Sequence, residues 1–222
     1  MNTLLRMQTK KSLPKGGKQP GQSKPHSKEK ILLAAFEEFA ENGYLLASTN
    51  SIMKKADVSK GLIFHYFKNK KNLYLECAES VVNNIFDRVK ISLYSEDDFF
   101  NVFYMAAINK INFLYENPLA AKFLADLFSQ RVMDTLPEVS KFYSKGLGNI
   151  FNLLYPKFDE SVLKDNIDKE QAFTFTFKII NSYADSHFRD SNGNYILTNE
   201  RADSFLKDMK LIESFIKYGV YK

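Results

Sequence analysis

Side chains suited to a nucleic acid are concentrated between Ser48 and Lys71 of this chain. Asn50 carries an amide of the kind that pairs with adenine, Lys60 a cation that reaches a guanine edge, and Gly61 lets a helix come close to the base pairs. Ser48, Thr49, His65, Tyr66 and Lys70 offer hydroxyl, imidazole and ammonium groups to phosphate oxygens, contacts that set register without reading sequence. Between residues 53 and 71, Lys54, Lys55, Lys60, Lys68, Lys70 and Lys71 stand against one acid, Asp57. A cationic stretch of this kind displaces the counterions condensed on a polyanion. Any one of these residues reads equally well as a solvated helix surface; the set points to DNA.

Other chemistries have little material. Cys77 is the only cysteine, which excludes an internal disulfide and a multi-thiolate metal site. His26, His65 and His187 lie in three separate segments, and no Cys, His or carboxylate stands at helical ligand spacing from His65, so no metal, cofactor or catalytic triad is expected. Cys77, four residues after Leu73, reads as a small buried hydrophobe. Asp126 and Asp185 interrupt apolar runs, as solvated or hydrogen-bonded acids or as partners for a cationic ligand.

The elements that would position these residues are helices. Ile31, Leu32, Ala35, Phe36, Phe39 and Ala40 recur at helical spacing, with Glu29, Glu37, Glu38 and Glu41 between them. That predicts a helix over 28–42, capped by Ser27 and closed by Gly43. A short second helix is expected after a Ser48 cap, through Ile52, Met53 and Ala56 to near Asp57. A third is expected from Lys60 to Phe67, capped by Ser59, with Ile63 and Phe67 facing Val58 and Ile52. Two short helices braced by a longer one form the helix-turn-helix pattern, whose last helix enters the major groove.

These residues also resemble a family. Ser48-Thr49-Asn50-Ser51-Ile52, Ala56-Asp57-Val58-Ser59-Lys60-Gly61-Leu62-Ile63-Phe64-His65-Tyr66-Phe67 and Lys68-Asn69-Lys70-Lys71-Asn72-Leu73 look like the N-terminal domain of the TetR family of bacterial repressors, over about residues 28–76. The resemblance places Asn50, Lys60 and Gly61 in the groove and brings Ser59 and Phe64 into the DNA-facing set. Asp57 stands where the family usually has Gly, and Asp tolerates a left-handed turn. Phe64 stands where Tyr is common and cannot donate a hydrogen bond to DNA.

The chain has 222 residues, 45% of them hydrophobic, enough for one large or two small domains. No apolar run approaches the roughly 18 residues of a membrane span, the longest being Val102 to Ile108, and the N-terminus lacks a signal-peptide core; a cytoplasmic protein is expected. Residues 1–27 hold six Lys/Arg and no acid, residues 28–76 eight basic against six acidic, and residues 77–222 seventeen against twenty. Residues 1–27, rich in Pro, Gly, Lys and Ser, read as a disordered basic tail that either binds a polyanion or is merely solvated.

Beyond Asn69, a cap, helices are expected to about Tyr94, from Asp97 to Glu116, from Pro118 to about Val132, and from Pro137 to Tyr155. Two more follow, at about Asp168 to Arg189 and Thr198 to Tyr218, separated by an Asn192-Gly193 turn. Phe173-Thr174-Phe175-Thr176-Phe177 alternates with period two, a strand signal in isolation, yet no partner strand is expected elsewhere and helix is the reading. The expected fold is all-α: a helix-turn-helix domain at 28–76 and a helical ligand-binding and dimerisation domain at 77–222.

Residues 77–222 hold twenty-five of the thirty-two aromatics. Most are core, while the resemblance makes an effector pocket plausible, with Phe103, Tyr104, Phe123, Phe128, Phe142 and Tyr183 as its lining. A two-turn recognition helix reads too few base pairs alone, so a homodimer is expected, with Phe175, Ile179, Phe205, Leu211, Ile212 and Phe215 at the interface. The expected function is a ligand-responsive regulator, on the family's example a repressor, that binds a palindromic double-stranded operator and is released by a small hydrophobic or cationic effector. The alternative is a small helical enzyme or carrier using an aromatic cavity.

Overall fold

The computed structural model describes residues 27–95 and 98–222. The reading of 1–27 as a basic tail lies outside the described residues, apart from Ser27. In order the elements are α1 (Ser27–Leu46), α2 (Thr49–Ala56), α3 (Lys60–Phe67), α4 (Lys70–Ser95) and α5 (Phe99–Glu116). They continue with α6 (Pro118–Leu127), α7 (Gln130–Thr135), α8 (Pro137–Leu154), a 3-10 turn (Tyr155–Lys157), α9 (Lys169–His187) and α10 (Asn199–Val220). The fold is all-α; among the described residues extended pairing is limited to the isolated bridges Leu163 to Tyr221 and Arg189 to Tyr195.

Side-chain caps set most boundaries. Ser48 Oγ accepts the Asn50 N–H at 3.2 Å and opens α2. Asp57 closes α2 in the left-handed region (φ 53, ψ 55), the conformation that turns the chain into α3. Asn69, Asp98, Asp168 and Thr198 each accept an N–H from the first turn of the helix they precede. Ser59 is a correction: it holds the position ahead of α3 in extended backbone, but its hydroxyl makes no capping bond. The single helix expected over 118–132 is two, because Ser129 accepts the Val132 N–H and starts α7 afresh. Gly43 (φ 69, ψ 167) breaks α1 where the sequence ends it, and one further turn runs on to Leu46.

The alternating Phe173-Phe175-Phe177 stretch is helical, as expected. Two residues along a helix reverse the facing direction, so Phe173 and Phe177 are buried while Phe175 is 61% exposed. The period-two pattern marks a helix with two apolar faces.

Burial falls into two clusters. The first joins Phe36, Phe39, Ile52, Ile63 and Phe67 of α1–α3 to Tyr74 of α4, Phe113 of α5, Phe123 and Leu127 of α6, and Val139 of α8. The second gathers Phe99, Phe100, Phe158, Phe173, Phe177, Phe188 and Phe205. Packing therefore runs across residue 76: α1 lies against α2, α4 and α6. Cys77 is fully buried, and burial pushes its thiol pKa well above the usual value.

The α1–α6 contact is held by one carboxylate. Asp126 Oδ2 accepts the Tyr44 N–H and the Tyr74 hydroxyl, each at 2.8 Å. Its Oδ1 lies 2.6 Å from where a Cβ on Gly43 would sit, so Gly43 is required by both its backbone and its neighbour. Gly193 also has positive φ (77), with open space around it. Gly193→Ala is expected to cost about 1–2 kcal/mol of stability for the left-handed backbone alone. Gly43→Ala should cost more, because the added methyl also displaces Asp126. Urea unfolding of the two variants tests this, and equal losses would refute the role of the carboxylate.

Candidate nucleic-acid interface

Helix α3 has two sides. Ile63 and Phe67 are buried and anchor it to the first core, and Leu62 and Tyr66 are half-buried. Lys60, Gly61, Phe64, His65 and Lys68 are exposed. Lys60, Gly61, Phe64 and His65, at i, i+1, i+4 and i+5, form one helix face, and Lys68 follows at the end of the helix with positive φ (65). Ser48, Asn50 and Ser59 are exposed beside it, and Thr49 is half-buried.

Gly61 is the informative position. A Cβ added there would meet nothing within 4 Å. Gly inside a helix costs about 0.5–1 kcal/mol relative to Ala, and nothing in the chain's own packing repays it. The absence of a side chain there leaves this face open to solvent.

Intramolecular pairing sorts the lysines. Lys55 Nζ bonds Glu41 at 2.8 Å and Glu38 at 3.1 Å, and Lys71 bonds Glu138 at 2.6 Å. Lys54, Lys60 and Lys68 are exposed with no ion pair among the described residues. Lys70 folds back, its ammonium 3.2 Å from the Leu45 carbonyl and 4.9 Å from the centre of the Tyr44 ring. Burial lowers its pKa against the opposing pull of Asp126 and Glu38. A phosphate would reach Lys70 only on its open side.

Glu38, on the inner face of α1, positions the start of α2 and was not singled out from the sequence. It is 4% exposed and accepts from the Ser48 N–H (3.1 Å), the Ser51 hydroxyl (2.6 Å) and Lys55 Nζ (3.1 Å). Burial raises its pKa, but these hydrogen bonds and the nearby ammonium outweigh it and hold the carboxyl below its usual value. Its spacing was the available signal: three residues after Ala35 and four after Ala34, both buried, Glu38 must point inward.

The six expected pocket residues do not converge. Phe123 is buried in the first core against Phe36 and Tyr74. Phe128 packs on the first core and meets Tyr143 edge-on, and Phe142 is half-buried. Phe103, Tyr104 and Tyr183 pack on the second core. Tyr183 needs no ligand as polar partner, since its hydroxyl donates to Asp208 and lies 3.0 Å from His187 Nδ1. Burial, then the Asp208 carboxylate, pushes its pKa up to about 12. Asp185 is paired with Arg189 at 2.9 Å.

Of the expected interface residues, Phe175, Ile179, Leu211 and Phe215 are 50–68% exposed. Phe175, Ile179, Ile212 and Phe215 line one shallow apolar groove of about 360 Å³ on α9 and α10. Phe205 is a correction: it is 4% exposed, packed on Tyr183 and Phe188, and lies within the second core.

Residues 31–77 match the family model described as bacterial regulatory proteins, tetR family. The uncharacterized HTH-type transcriptional regulator YvdT of Bacillus subtilis is 38% identical over 74 residues, 33% of this chain and 38% of that protein. The alignment thus spans under two fifths of that relative's length. A transcriptional regulator from Rhodococcus sp. Rha1 superposes with a TM-score of 0.63 at 18% identity, over 88% of this chain and 98% of that one. The transcriptional regulator FadR of Bacillus subtilis, solved in complex with stearoyl-CoA, gives 0.55 at 18% identity, over 81% and 96%. The N-terminal segment thus matches the tetR family model, and the whole chain shares the helical fold of these solved structures.

Glu38→Ala leaves the Ser48 N–H, the Ser51 hydroxyl and Lys55 without their partner, and should cost about 3 kcal/mol. A carboxylate with a lowered folded pKa stabilises above its unfolded pKa, near 4.3, and that contribution is lost as pH falls through the folded value. The acid limb of a stability–pH curve should therefore be shallower in Glu38→Gln than in the wild type. Superimposable curves would refute the assignment.

Proposed function

We propose that this protein is a DNA-binding transcriptional regulator acting as a homodimer, most simply a repressor released from a palindromic operator by a small hydrophobic or cationic effector. The exposed α3 face carries this reading, with a glycine the fold does not use between Lys60 and Phe64. Asn50 and Lys60 read base edges, Gly61 permits the approach, and Phe64 offers an apolar edge to a thymine methyl. Ser48, Thr49, Ser59, His65, Tyr66 and the open side of Lys70 hold phosphates. Two copies joined through the apolar face of α9 and α10 would present two α3 helices to two half-sites. The solved FadR complex supports an effector that binds the helical half, by analogy of fold. No helix among the described residues is long and apolar enough to cross a membrane, and the site of action proposed is the cytoplasm.

The decisive experiment is a binding assay on the DNA upstream of the protein's own gene, across a salt series. Lys60→Ala and Asn50→Ala should each lose about 1–3 kcal/mol of discrimination at particular base pairs. Lys68→Ala should weaken all sequences alike and reduce the salt slope by about 1. Equal losses on every sequence from all three would refute the roles given to Lys60 and Asn50.

The dimer is tested at its most exposed ring. Phe215→Glu buries a charge in the proposed interface, and light scattering should report a monomer with operator binding severely weakened. A wild-type monomer at micromolar concentration that still binds the operator would refute the dimer.

A further inference from the structure

The joint between the DNA-facing and C-terminal halves carries a polar cleft that the proposed function does not use. At its base is Asp126, whose Oδ2 is held by Tyr44 and Tyr74 while its Oδ1 makes no hydrogen bond among the described residues. The same end of α6 is tied to the turn between α9 and α10. Arg189 Nη1 donates to the Phe128 carbonyl at 2.8 Å and to the Gly193 carbonyl at 2.9 Å, and its Nε bonds Asp185. Between the α6–α7 corner and that turn lies a cleft of about 630 Å³, lined by Asp126, Gln130, Arg131, Asp134, Asn192 and Tyr195 among others. That volume is ordinary for a small-molecule site.

The lining is chemically uneven. The Arg131 guanidinium, the Asn192 side-chain amide and the Tyr195 hydroxyl have no partner among the described residues. Asp134 uses one carboxylate oxygen for Gln130 Nε2 at 2.7 Å and keeps the other free. An anion would meet two carboxylates, and a diamine would meet the guanidinium. A molecule carrying both charges satisfies both sets.

We propose that this cleft binds a small zwitterion of the amino-acid class, its carboxylate paired with Arg131 and its ammonium with Asp126 and Asp134. Arg presents a planar fork suited to a carboxylate. The site is distinct from an enclosed apolar effector cavity, because it is open to solvent and lined by the charged side chains of Asp126, Arg131 and Asp134. Its ammonium would reach the unbonded Oδ1 of Asp126, beside the Gly43 break in α1 that leads into Ser48 and α2. Occupancy would therefore alter the seating of the DNA-facing helices; this coupling, unlike the binding, rests on the function proposed above.

The test uses the full chain and each proteinogenic amino acid singly at millimolar concentration, with putrescine and acetate as single-charge probes. At least one amino acid should raise the thermal unfolding midpoint, and neither putrescine nor acetate should. The rise should vanish in both Arg131→Ala and Asp134→Asn, exposed positions whose replacement leaves the unliganded midpoint unchanged. No response to any amino acid, a response that persists in either variant, or an equal response to putrescine or acetate overturns the proposal. With the bound amino acid, operator affinity should change by about fivefold or more; an unchanged affinity overturns the coupling. Failure of the unliganded protein to bind DNA would instead refute the regulator reading and leave the midpoint result standing.

Discussion

The placement of α2 and α3 depends on the place where Asp126 meets Gly43. Asp126 occupies the space a Cβ on Gly43 would need and accepts from Tyr44 and Tyr74, where α1 breaks in a conformation that glycine adopts without strain. The end of α1 sets the start of α2, since Ser48 follows one short turn later and its N–H is itself held by Glu38. The direction of α2 then sets α3 through the left-handed Asp57. A carboxylate from α6, supplied 82 residues further along the chain than Tyr44, fixes the frame in which Lys60 and Gly61 are presented.

Local chemistry made the three N-terminal helices legible. Ser48, Asp57 and Asn69 act through bonds spanning two to four residues, and patterns of that reach can be read without knowing the fold. Phe173 to Phe177 was legible as helix only through the missing partner strand, and its alternation describes two apolar faces, one buried and one exposed. The bonds that were not legible are those between distant segments. Tyr74 and Asp126 look like an ordinary core ring and an interrupting acid until α6 is laid on α1. The aromatic pocket failed for the same reason, because composition gives the number of rings and packing decides which core each joins.

The basic stretch from Lys54 to Lys71 is less uniform than its sequence. Glu38 and Glu41 neutralise Lys55, Glu138 neutralises Lys71, and Lys70 is half-spent on a carbonyl and a ring. The cations left facing solvent are those on or beside the exposed α3 face. Paired lysines hold helices in place at modest energetic gain. Unpaired ones retain their counterions, whose release is what drives association with a phosphate backbone.

Helices α9 and α10 have two apolar faces. Their inner faces, with Phe173, Phe177, Ile180, Ala202, Phe205 and Met209, complete the second core. Their outer faces keep Phe175, Ile179, Leu211 and Phe215 in water, where each exposed ring or branched chain forgoes about 1.5–3 kcal/mol of burial. The turn that joins the same two helices is tied to the end of α6, where Arg189 donates to the Phe128 carbonyl. The exposed face of α9 and α10 and the exposed face of α3 thus stand on different cores, and those cores are tied where Arg189 bonds the Phe128 carbonyl, two residues from Asp126.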